Sequence, residues 1–295
     1  MQELKGLGVA MVTPFLESGV VDYNALNKLV KHLHQGADYL VVMGTTGEAI
    51  TLTDEEQFAV LDYIIEVNAG KLPIVFGMGG SDTGALRLRM KAFDREGVTA
   101  FLTASPAYNK PTQEGIFRHY QSIGEASPLP IIMYNVPGRT ASNVAPETVA
   151  RIAEAIPRVI GIKEAAGNIE QVMELKRLLP ESFLLISGDD ALVLPHMACG
   201  GHGVISVLGN AYPKAFGDVV SAALVGNFEK ARQGHLPFLP LIGNLFREGN
   251  PGGIKEVLQI NGICGNHMRL PLYPVSKSLS NLLYSDVANL DNASE

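Results

Sequence analysis

A lysine ends a short apolar run, Val-Ile-Gly-Ile-Lys, at position 163. If the run is a buried strand, the side chain of Lys163 leaves an apolar wall, where loss of water disfavours the ammonium and makes the neutral amine accessible. A neutral amine attacks ketones and forms imines. The same pattern fits a lysine that extends from a strand end to solvent. The segment therefore leaves two interpretations open, a covalent nucleophile and an ordinary surface lysine.

Four further side chains have the chemistry to assist such a lysine. Tyr134 ends the preceding apolar run, and a phenol beside an imine can transfer protons. Thr45 and Thr46 lie between two glycines, where hydroxyl and N–H groups can hold a carboxylate or relay a proton. Arg139 follows a Pro-Gly turn and suits bidentate binding of a carboxylate. Each also has a structural alternative: a core tyrosine, a plain turn or a surface ion pair.

Eight short apolar runs predict the scaffold that would hold these residues. Each is too short for a helix and too continuously apolar for a half-exposed strand, so each predicts a strand buried on both faces. The runs cover residues 8–12, 39–43, 74–76, 100–102, 131–133, 159–162, 184–186 and 204–207. Strands that alternate with helices form a parallel sheet, and these fit a closed (β/α)8 TIM barrel. Polar or glycine-rich residues follow the runs, as at the barrel face that carries active sites.

The segments between the runs have helical periodicity. The predicted helices cover residues 23–35, 54–69, 83–96, 113–126, 146–155, 169–179 and 191–199. Asp22, Thr53 and Asn168 precede three of them as capping residues. After Pro213 only helical segments follow, near residues 214–233, 236–246, 253–260 and 273–283. We therefore expect a catalytic barrel over residues 1–225 and a C-terminal helical extension over residues 226–295.

Composition argues against several classes of protein. The 295-residue chain has a formal net charge of -7, so it has no basic field for nucleic acid or an anionic membrane. Cys199 and Cys264 lie far apart, which argues against a disulfide framework or a zinc site and favours a cytoplasmic location. The start of the chain lacks a signal-peptide pattern, and no apolar run approaches the ~18 residues of a membrane span.

Other catalytic signatures are incomplete or missing in the sequence. No GxSxG pattern marks a serine nucleophile. Gly79 and Gly84 have P-loop spacing, but no Lys-Ser or Lys-Thr pair follows. Asp189 and Asp190 could bind a divalent ion, although few co-ligands accompany them.

Five segments together resemble one known family. They are Gly-Thr-Thr-Gly-Glu at 44–48, Tyr-Asn-Val-Pro-Gly-Arg-Thr at 134–140, Gly-Ile-Lys-Glu-Ala at 161–165, Ser-Gly-Asp-Asp at 187–190 and Gly-Gly-His-Gly-Val-Ile-Ser at 200–206. The resemblance is to the dihydrodipicolinate synthase family, within the N-acetylneuraminate lyase superfamily. It extends from Gly8 to about Pro271. It implies the barrel with C-terminal helices and a homotetramer built as a dimer of dimers.

The resemblance also implies an activity and catalytic residues. The activity is that of a 4-hydroxy-tetrahydrodipicolinate synthase, which condenses pyruvate with L-aspartate 4-semialdehyde on the route to diaminopimelate and lysine. Lys163 matches the Schiff-base lysine, Tyr134 the tyrosine that assists imine formation, and Thr45 the threonine of a proton relay. Tyr108 matches a relay tyrosine that the neighbouring subunit contributes.

Four positions match the substrate-binding set of the family. Thr46 and Ile205 match positions that hold pyruvate, and Gly188 belongs to the same set. Arg139 matches the arginine that takes the carboxylate of the aldehyde. No metal or organic cofactor is implied, because the imine on the lysine performs the activation.

The sequence departs from the family in one region. Members inhibited by lysine usually have histidines after the Gly-Thr-Thr-Gly-Glu motif, where this chain has Asp54 and Gln57. The usual Tyr-Tyr pair reads Ala107-Tyr108. We therefore expect weak or absent feedback by lysine.

Three other functions are compatible with parts of the sequence. Another pyruvate lyase of the superfamily, such as N-acetylneuraminate lyase or a keto-sugar-acid aldolase, generally lacks an arginine at the place of Arg139, so Arg139 favours the synthase. A metal-dependent aldolase would use Asp189, Asp190 and Glu48. A barrel used only for binding would need none of these residues.

Overall fold

The computed structural model describes residues 2–294 and contains eight parallel strands in a closed barrel. The strands are β1 (Gly6–Ala10), β2 (Tyr39–Val42), β3 (Ile74–Gly77), β4 (Ala100–Ala104), β5 (Ile131–Asn135), β6 (Val159–Glu164), β7 (Leu184–Ser187) and β8 (Gly203–Ser206). They pair in chain order, and β8 closes the ring on β1 with Ile205 beside Gly8. The predicted TIM barrel is confirmed, with each strand at the place of one predicted run.

The strands are buried on both faces because they separate two apolar clusters. The inner cluster fills the barrel with side chains such as Tyr39, Leu102 and Ile132. The outer cluster lies between the barrel and its helices. Gly8 shows how tightly the interior is filled, since a Cβ there would lie 2.2 Å from Cζ of Tyr39. Strands in this setting have no polar face, which is why they appear in the sequence as unbroken apolar runs.

Thirteen helices occur within the described residues. They are α1 (Tyr23–Leu33), α2 (Asp54–Asn68), α3 (Thr83–Lys91), α4 (Gln113–Ala126), α5 (Pro137–Thr140), α6 (Pro146–Ala155), α7 (Ile169–Leu178), α8 (Val193–Ala198), α9 (Pro213–Leu224), α10 (Phe228–His235), α11 (Leu239–Leu245), α12 (Gly252–Ile260) and α13 (Lys277–Ser294). The predicted caps are confirmed: the side chains of Asp22, Thr53 and Asn168 each accept from a backbone N–H of the first turn. Over residues 2–294, no helix has the length and apolar character of a membrane span.

The C-terminal helices differ from the prediction at two places. The single helix predicted for residues 214–233 is wrong, because Gly226 takes a left-handed φ of 77° and Asn227 caps a new helix, α10. The helix predicted from residue 273 begins at Lys277, after the hydroxyl of Ser276 accepts from the N–H of Leu279. The outer apolar cluster continues into α12 and α13, for example at Leu283. The division at residues 225 and 226 stays a prediction, and its outer limits, residues 1 and 295, lie outside the described range.

Candidate active site

Lys163 lies at the carboxyl end of β6 and faces the barrel interior. Its neighbour Ile162 packs in the outer cluster, so the alternation of a strand directs Lys163 inward. Its side chain is only 7% exposed, and Nζ lies 4.3 Å from the ring centroid of Tyr134. Among residues 2–294, no carboxylate or other hydrogen-bonding group pairs with this amine. A buried amine with an aromatic neighbour and no counter-ion is free to react.

Tyr134 stands beside Lys163 because β5 and β6 pair in register. The two residues are direct partners in the ladder. Tyr134 is 9% exposed and belongs to the inner cluster, so its ring lies within the barrel mouth. The sheet therefore brings the phenol next to the amine, as proton transfer between them would require.

Gly188 and Ile205 are placed by the next two strands of the barrel, directly after the end of β7 and on β8. Gly188 follows β7, and its N–H donates to the carbonyl of Glu164 at 2.7 Å. A Cβ at Gly188 would lie 3.1 Å from Cε of Lys163, so glycine leaves room for that side chain. Ile205 on β8 is buried in the inner cluster that also contains Tyr134. The surroundings of Lys163 are therefore closely packed at Gly188 and apolar at the inner cluster.

Thr45 and Thr46 lie on a 3-10 turn, Thr45–Gly47, which is separated from the end of β2 only by Met43 and Gly44. Thr13 Oγ1 donates to the carbonyl of Gly47 at 2.7 Å. Asn250 Nδ2 donates to Thr46 Oγ1 at 3.0 Å, so the proton of that buried hydroxyl stays available to a ligand. Thr45 is exposed at the mouth of the barrel.

Arg139 approaches the site from α5. Hydrogen bonds from Thr140 Oγ1 to the carbonyls of Val136 and Ser142, at 3.2 and 2.8 Å, hold this turn. The guanidinium is exposed and has no ion-pair partner in the described part of the chain. It is thus available for an anion.

A cavity of about 670 Å³ joins three of these residues, since Thr45, Tyr134 and Arg139 all line it. Lys163 is not part of its wall, but Tyr134, whose ring lies next to the amine, is. A second cavity of about 460 Å³ lies at the amino-terminal ends of β5 and β6, away from all of these side chains. The larger cavity is the candidate substrate site.

Tyr108 lies apart from this group. Its side chain is 94% exposed, and its backbone has a left-handed φ of 75°. The residue before it, Ala107, lines the cavity, but Tyr108 does not. Within this chain, the structure does not bring Tyr108 to Lys163.

The wall of the cavity also contains Asp54 and Gln57, the two positions at which the family members inhibited by lysine usually have histidines. Arg89 Nη2 lies 3.0 Å from Asp54 Oδ1 and donates to Gln57 Oε1 at 2.8 Å. Gln57 also donates to the carbonyl of Ala49 at 2.9 Å. These polar groups are thus engaged with one another.

The carboxylates of the metal hypothesis are occupied by partners in their own chain. Asp190 Oδ2 accepts from the N–H groups of Val207 and Leu208 at 3.0 and 2.8 Å. Asp189 Oδ1 accepts from the N–H of Ala191 at 2.9 Å. Glu48 forms an ion pair with Lys255. The hydrogen bonds and the ion pair of these three acids stabilise the loops at the barrel mouth.

The sequence did not single out two residues near the site. Asn250 lines the cavity and reaches it from a segment far along the chain, so no local pattern marks it. Glu164 follows Lys163 but faces the helices, where it accepts from Asn135 Nδ2 at 2.9 Å and from Gln171 Nε2 at 3.0 Å. Burial raises the pKa of Glu164, and these hydrogen bonds oppose the rise. Strand alternation is the signal that separates Glu164 from Lys163.

A closed parallel barrel with a buried lysine amine and a tyrosine at its carboxyl end defines a class: barrel lyases that act through a lysine imine. The chain belongs to the dihydrodipicolinate synthetase family, whose profile matches residues 3–289. It is 47% identical over 284 residues to the 4-hydroxy-tetrahydrodipicolinate synthase of Flavobacterium psychrophilum, covering 96% of this chain and 97% of the relative.

Solved structures agree with this assignment. The dihydrodipicolinate synthase of Thermotoga maritima superposes with a TM-score of 0.94 at 38% identity, over 96% of this chain and 97% of that one. The enzyme from Cyanidioschyzon merolae, solved with lysine bound, has a TM-score of 0.93 at 35% identity, over 98% and 99% of the two chains. The resemblance stated from the sequence is confirmed.

Proposed function

We propose that this chain condenses pyruvate with L-aspartate 4-semialdehyde, the reaction of a 4-hydroxy-tetrahydrodipicolinate synthase, through an imine on Lys163. The observation that carries the proposal is the buried amine of Lys163, which lies 4.3 Å from the centroid of the Tyr134 ring and has no counter-ion among the described residues. Lys255 provides a contrast, since it is also buried but pairs with Glu48. An unpaired buried lysine in a barrel mouth is suited to covalent chemistry.

The first half of the reaction forms the enamine. The neutral amine of Lys163 attacks C2 of pyruvate, and the carbonyl oxygen leaves as water after protonation. Thr46 and Ile205 hold the pyruvate, with the hydroxyl of Thr46 directed to the carboxylate. The protonated imine withdraws electrons from the adjacent methyl group, which loses a proton to give the enamine. Tyr134 and Thr45 transfer the protons of these steps.

The second half closes the ring. The enamine carbon attacks the aldehyde, whose carboxylate Arg139 binds at the entrance of the cavity. The substrate amine then attacks C2 and displaces Lys163, which regenerates the free amine. The protein contributes proximity and a site sheltered from bulk water.

The assembly belongs to the same proposal. Tyr108 completes the proton relay of a neighbouring subunit, which is supported by its 94% exposure and by its absence from the wall of the cavity in its own chain. Ile50, which lines the cavity, and Leu270, which directly precedes Pro271 of its wall, are both exposed, and exposed apolar side chains of this kind are compatible with an interface. We propose a homotetramer built as a dimer of dimers, located in the cytoplasm, with a barrel over residues 1–225 and an extension over residues 226–295.

The alternative within the superfamily, a sialic-acid or keto-sugar-acid aldolase, is not favoured. Five relatives between 41% and 47% identical to this chain are all named 4-hydroxy-tetrahydrodipicolinate synthase. The unpaired guanidinium of Arg139 at the cavity also suits a second substrate with a carboxylate.

Trapping and turnover together test the proposal. The protein is incubated with pyruvate and borohydride and analysed by mass spectrometry, and turnover is measured with aspartate semialdehyde and, separately, with sialic acid. We expect a reduced adduct on Lys163, and turnover of pyruvate with aspartate semialdehyde but not of sialic acid. Both the adduct and the turnover should be lost in Lys163→Ala and Lys163→Arg. An active Lys163→Arg protein, or an adduct on another lysine, would contradict the mechanism.

A further inference from the structure

Lys255 is a buried charge outside the proposed chemistry. It lies on α12 in the C-terminal region, and the side chains of Lys255 and Glu48 are both 0% exposed. The ammonium contacts Glu48 Oε1, donates to the carbonyl of His267 at 2.8 Å and lies 4.4 Å from the ring centroid of Phe15. Burial lowers the pKa of Lys255 and raises that of Glu48, and in each case the partner opposes the shift. Since a buried ion pair adds little stability over an apolar pair, its presence points to a role in setting a specific conformation.

Glu48 connects this pair to the candidate site. It directly follows the Thr45–Gly47 turn, and its N–H donates to the carbonyl of Thr45 at 3.1 Å. Its backbone is left-handed, with φ of 57°. A non-glycine residue in that region persists only where its surroundings hold it. Lys255 is the charged side chain that pairs with the carboxylate of Glu48 and helps to hold it in place.

Three further contacts join the same segment to the C-terminal region. Asn250 Nδ2 donates to Thr46 Oγ1 at 3.0 Å, Arg269 N–H donates to Glu48 Oε2 at 3.4 Å, and Arg269 Nη1 donates to the carbonyl of Thr51 at 2.8 Å. The segment from Thr46 to Thr51 is therefore held from the C-terminal side at three residues, and the ion pair at Glu48 is the only buried charge pair among these contacts.

We propose that Lys255 is a positioning residue, whose ion pair with Glu48 holds Thr45 and Thr46 in the geometry that binds pyruvate and relays its protons. This inference rests on the proposed function. Lys255 acts only through Glu48 and does not touch the substrate. Arg139 lies on α5, and no hydrogen bond or ion pair joins it to Lys255 or Glu48 within residues 2–294, so we expect binding of the aldehyde carboxylate to be independent of the pair.

A purely structural role makes a different prediction. If the pair only stabilised the fold, its loss would lower the melting temperature and leave the Michaelis constants of the folded enzyme unchanged. A positioning role separates the two substrates, because the Thr45–Thr46 turn serves pyruvate and Arg139 serves the aldehyde. The ratio of the two KM values is therefore the decisive readout.

The experiment compares Lys255→Met, the double variant Glu48→Gln/Lys255→Met, and Leu283→Ala as the matched control. Leu283 is fully buried on α13, and it belongs neither to the Thr45–Gly47 turn nor to the cavity wall, so its truncation destabilises the same region without changing a residue of the site. Each protein is characterised by melting temperature, kcat, both KM values and the rate of borohydride trapping with pyruvate alone.

For Lys255→Met we expect kcat/KM for pyruvate to fall about 100-fold, the loss typical of a misplacement near 1 Å, with the KM of the aldehyde unchanged. The double variant leaves no unpaired buried charge, so it recovers part of this loss but stays below the parent. Leu283→Ala keeps the parent KM values despite its lower melting temperature.

Parent-like pyruvate kinetics in Lys255→Met, or in the double variant, would overturn the inference. The inference would also be overturned if the KM values for both substrates rose together in Lys255→Met and rose in the same way in Leu283→Ala. If Lys255→Met fails to fold, the double variant decides by the same ratio of KM values. Trapping with pyruvate alone needs no aldehyde, so slower trapping in the variants supports the positioning role even if the parent fails to turn over the proposed substrate pair.

Discussion

Replacing Gly188 by alanine adds one methyl group directly beside the proposed nucleophile. The new Cβ would lie 2.6 Å from Cβ of Ala165 and 3.1 Å from Cε of Lys163. Cβ of Ala165 is attached to the backbone and cannot rotate away. The backbone of Gly188 is itself tied by its N–H to the carbonyl of Glu164 at 2.7 Å. The strand ends must therefore separate, and the side chain of Lys163 must move with them.

The magnitude follows from these contacts. Adding a methyl group to a filled site costs about 1–3 kcal/mol, and each kcal/mol lowers the melting temperature by about 2–4 °C in a domain of this kind. The effect on catalysis is larger. Displacing the amine of Lys163 by an amount near 1 Å lowers kcat/KM about 100-fold, equivalent to about 2.7 kcal/mol of transition-state stabilisation.

The assay measures kcat/KM and the rate of pyruvate trapping on Lys163, with Gly243→Ala as the control. Gly243 lies on α11, and a Cβ added there would meet no other atom within 4 Å, so alanine is accommodated and favours the helix by about 1 kcal/mol. We expect the Gly243 variant to be fully active and at least as stable as the parent. A Gly188→Ala protein that keeps kcat/KM within about threefold of the parent would refute the placement of Lys163 against Gly188.

Three further outcomes are expected. Arg139→Ala should raise the KM of the aldehyde by about 10- to 100-fold and leave the KM of pyruvate unchanged, as steady-state kinetics with each substrate varied will show. Titration calorimetry should detect weak or no binding of L-lysine, because Arg89 engages both Asp54 and Gln57; the Cyanidioschyzon merolae enzyme, solved with lysine bound, is the positive control. Burial lowers the pKa of His119 from 6.5 to about 4, so the unfolded chain binds a proton that the folded chain does not, and stability falls as the pH drops from about 6.5 to about 4. His119→Gln should reduce that slope by up to about 1.4 kcal/mol per pH unit, measured by urea unfolding across this range.

The barrel was predictable because its strands are buried on both faces, which gives apolar runs such as Tyr39–Val42 with no polar positions. The start of α2 was predictable for a local reason as well, since Thr53 and Glu56 form a complete capping box. Local signals failed where two helical patterns were joined by a short turn. The break at Gly226 is one glycine within an otherwise helical stretch, and a glycine there is compatible with either outcome.

The site was predictable only where it follows strand ends. Lys163 and Tyr134 belong to adjacent strands, so the order of a barrel places them together. Asn250 reaches the cavity from the C-terminal region, and its contact with Thr46 spans more than two hundred residues. No periodicity relates positions so far apart, because only the packing of the extension on the barrel mouth joins them.

The tetrapeptide Gly-Ile-Lys-Glu shows the limit of local sequence, because it occurs twice, at residues 161–164 and at residues 253–256. In β6 the alternation of the strand directs Lys163 into the barrel and Glu164 toward the helices, which leaves the amine unpaired beside Tyr134. In α12 the same lysine, Lys255, meets the carboxylate of Glu48. Both lysines are buried, so burial alone does not mark the nucleophile. What separates them is a counter-ion supplied from a distant part of the chain, and that property belongs to the fold. A search for covalent lysines in barrels should therefore score the absence of a paired carboxylate together with burial.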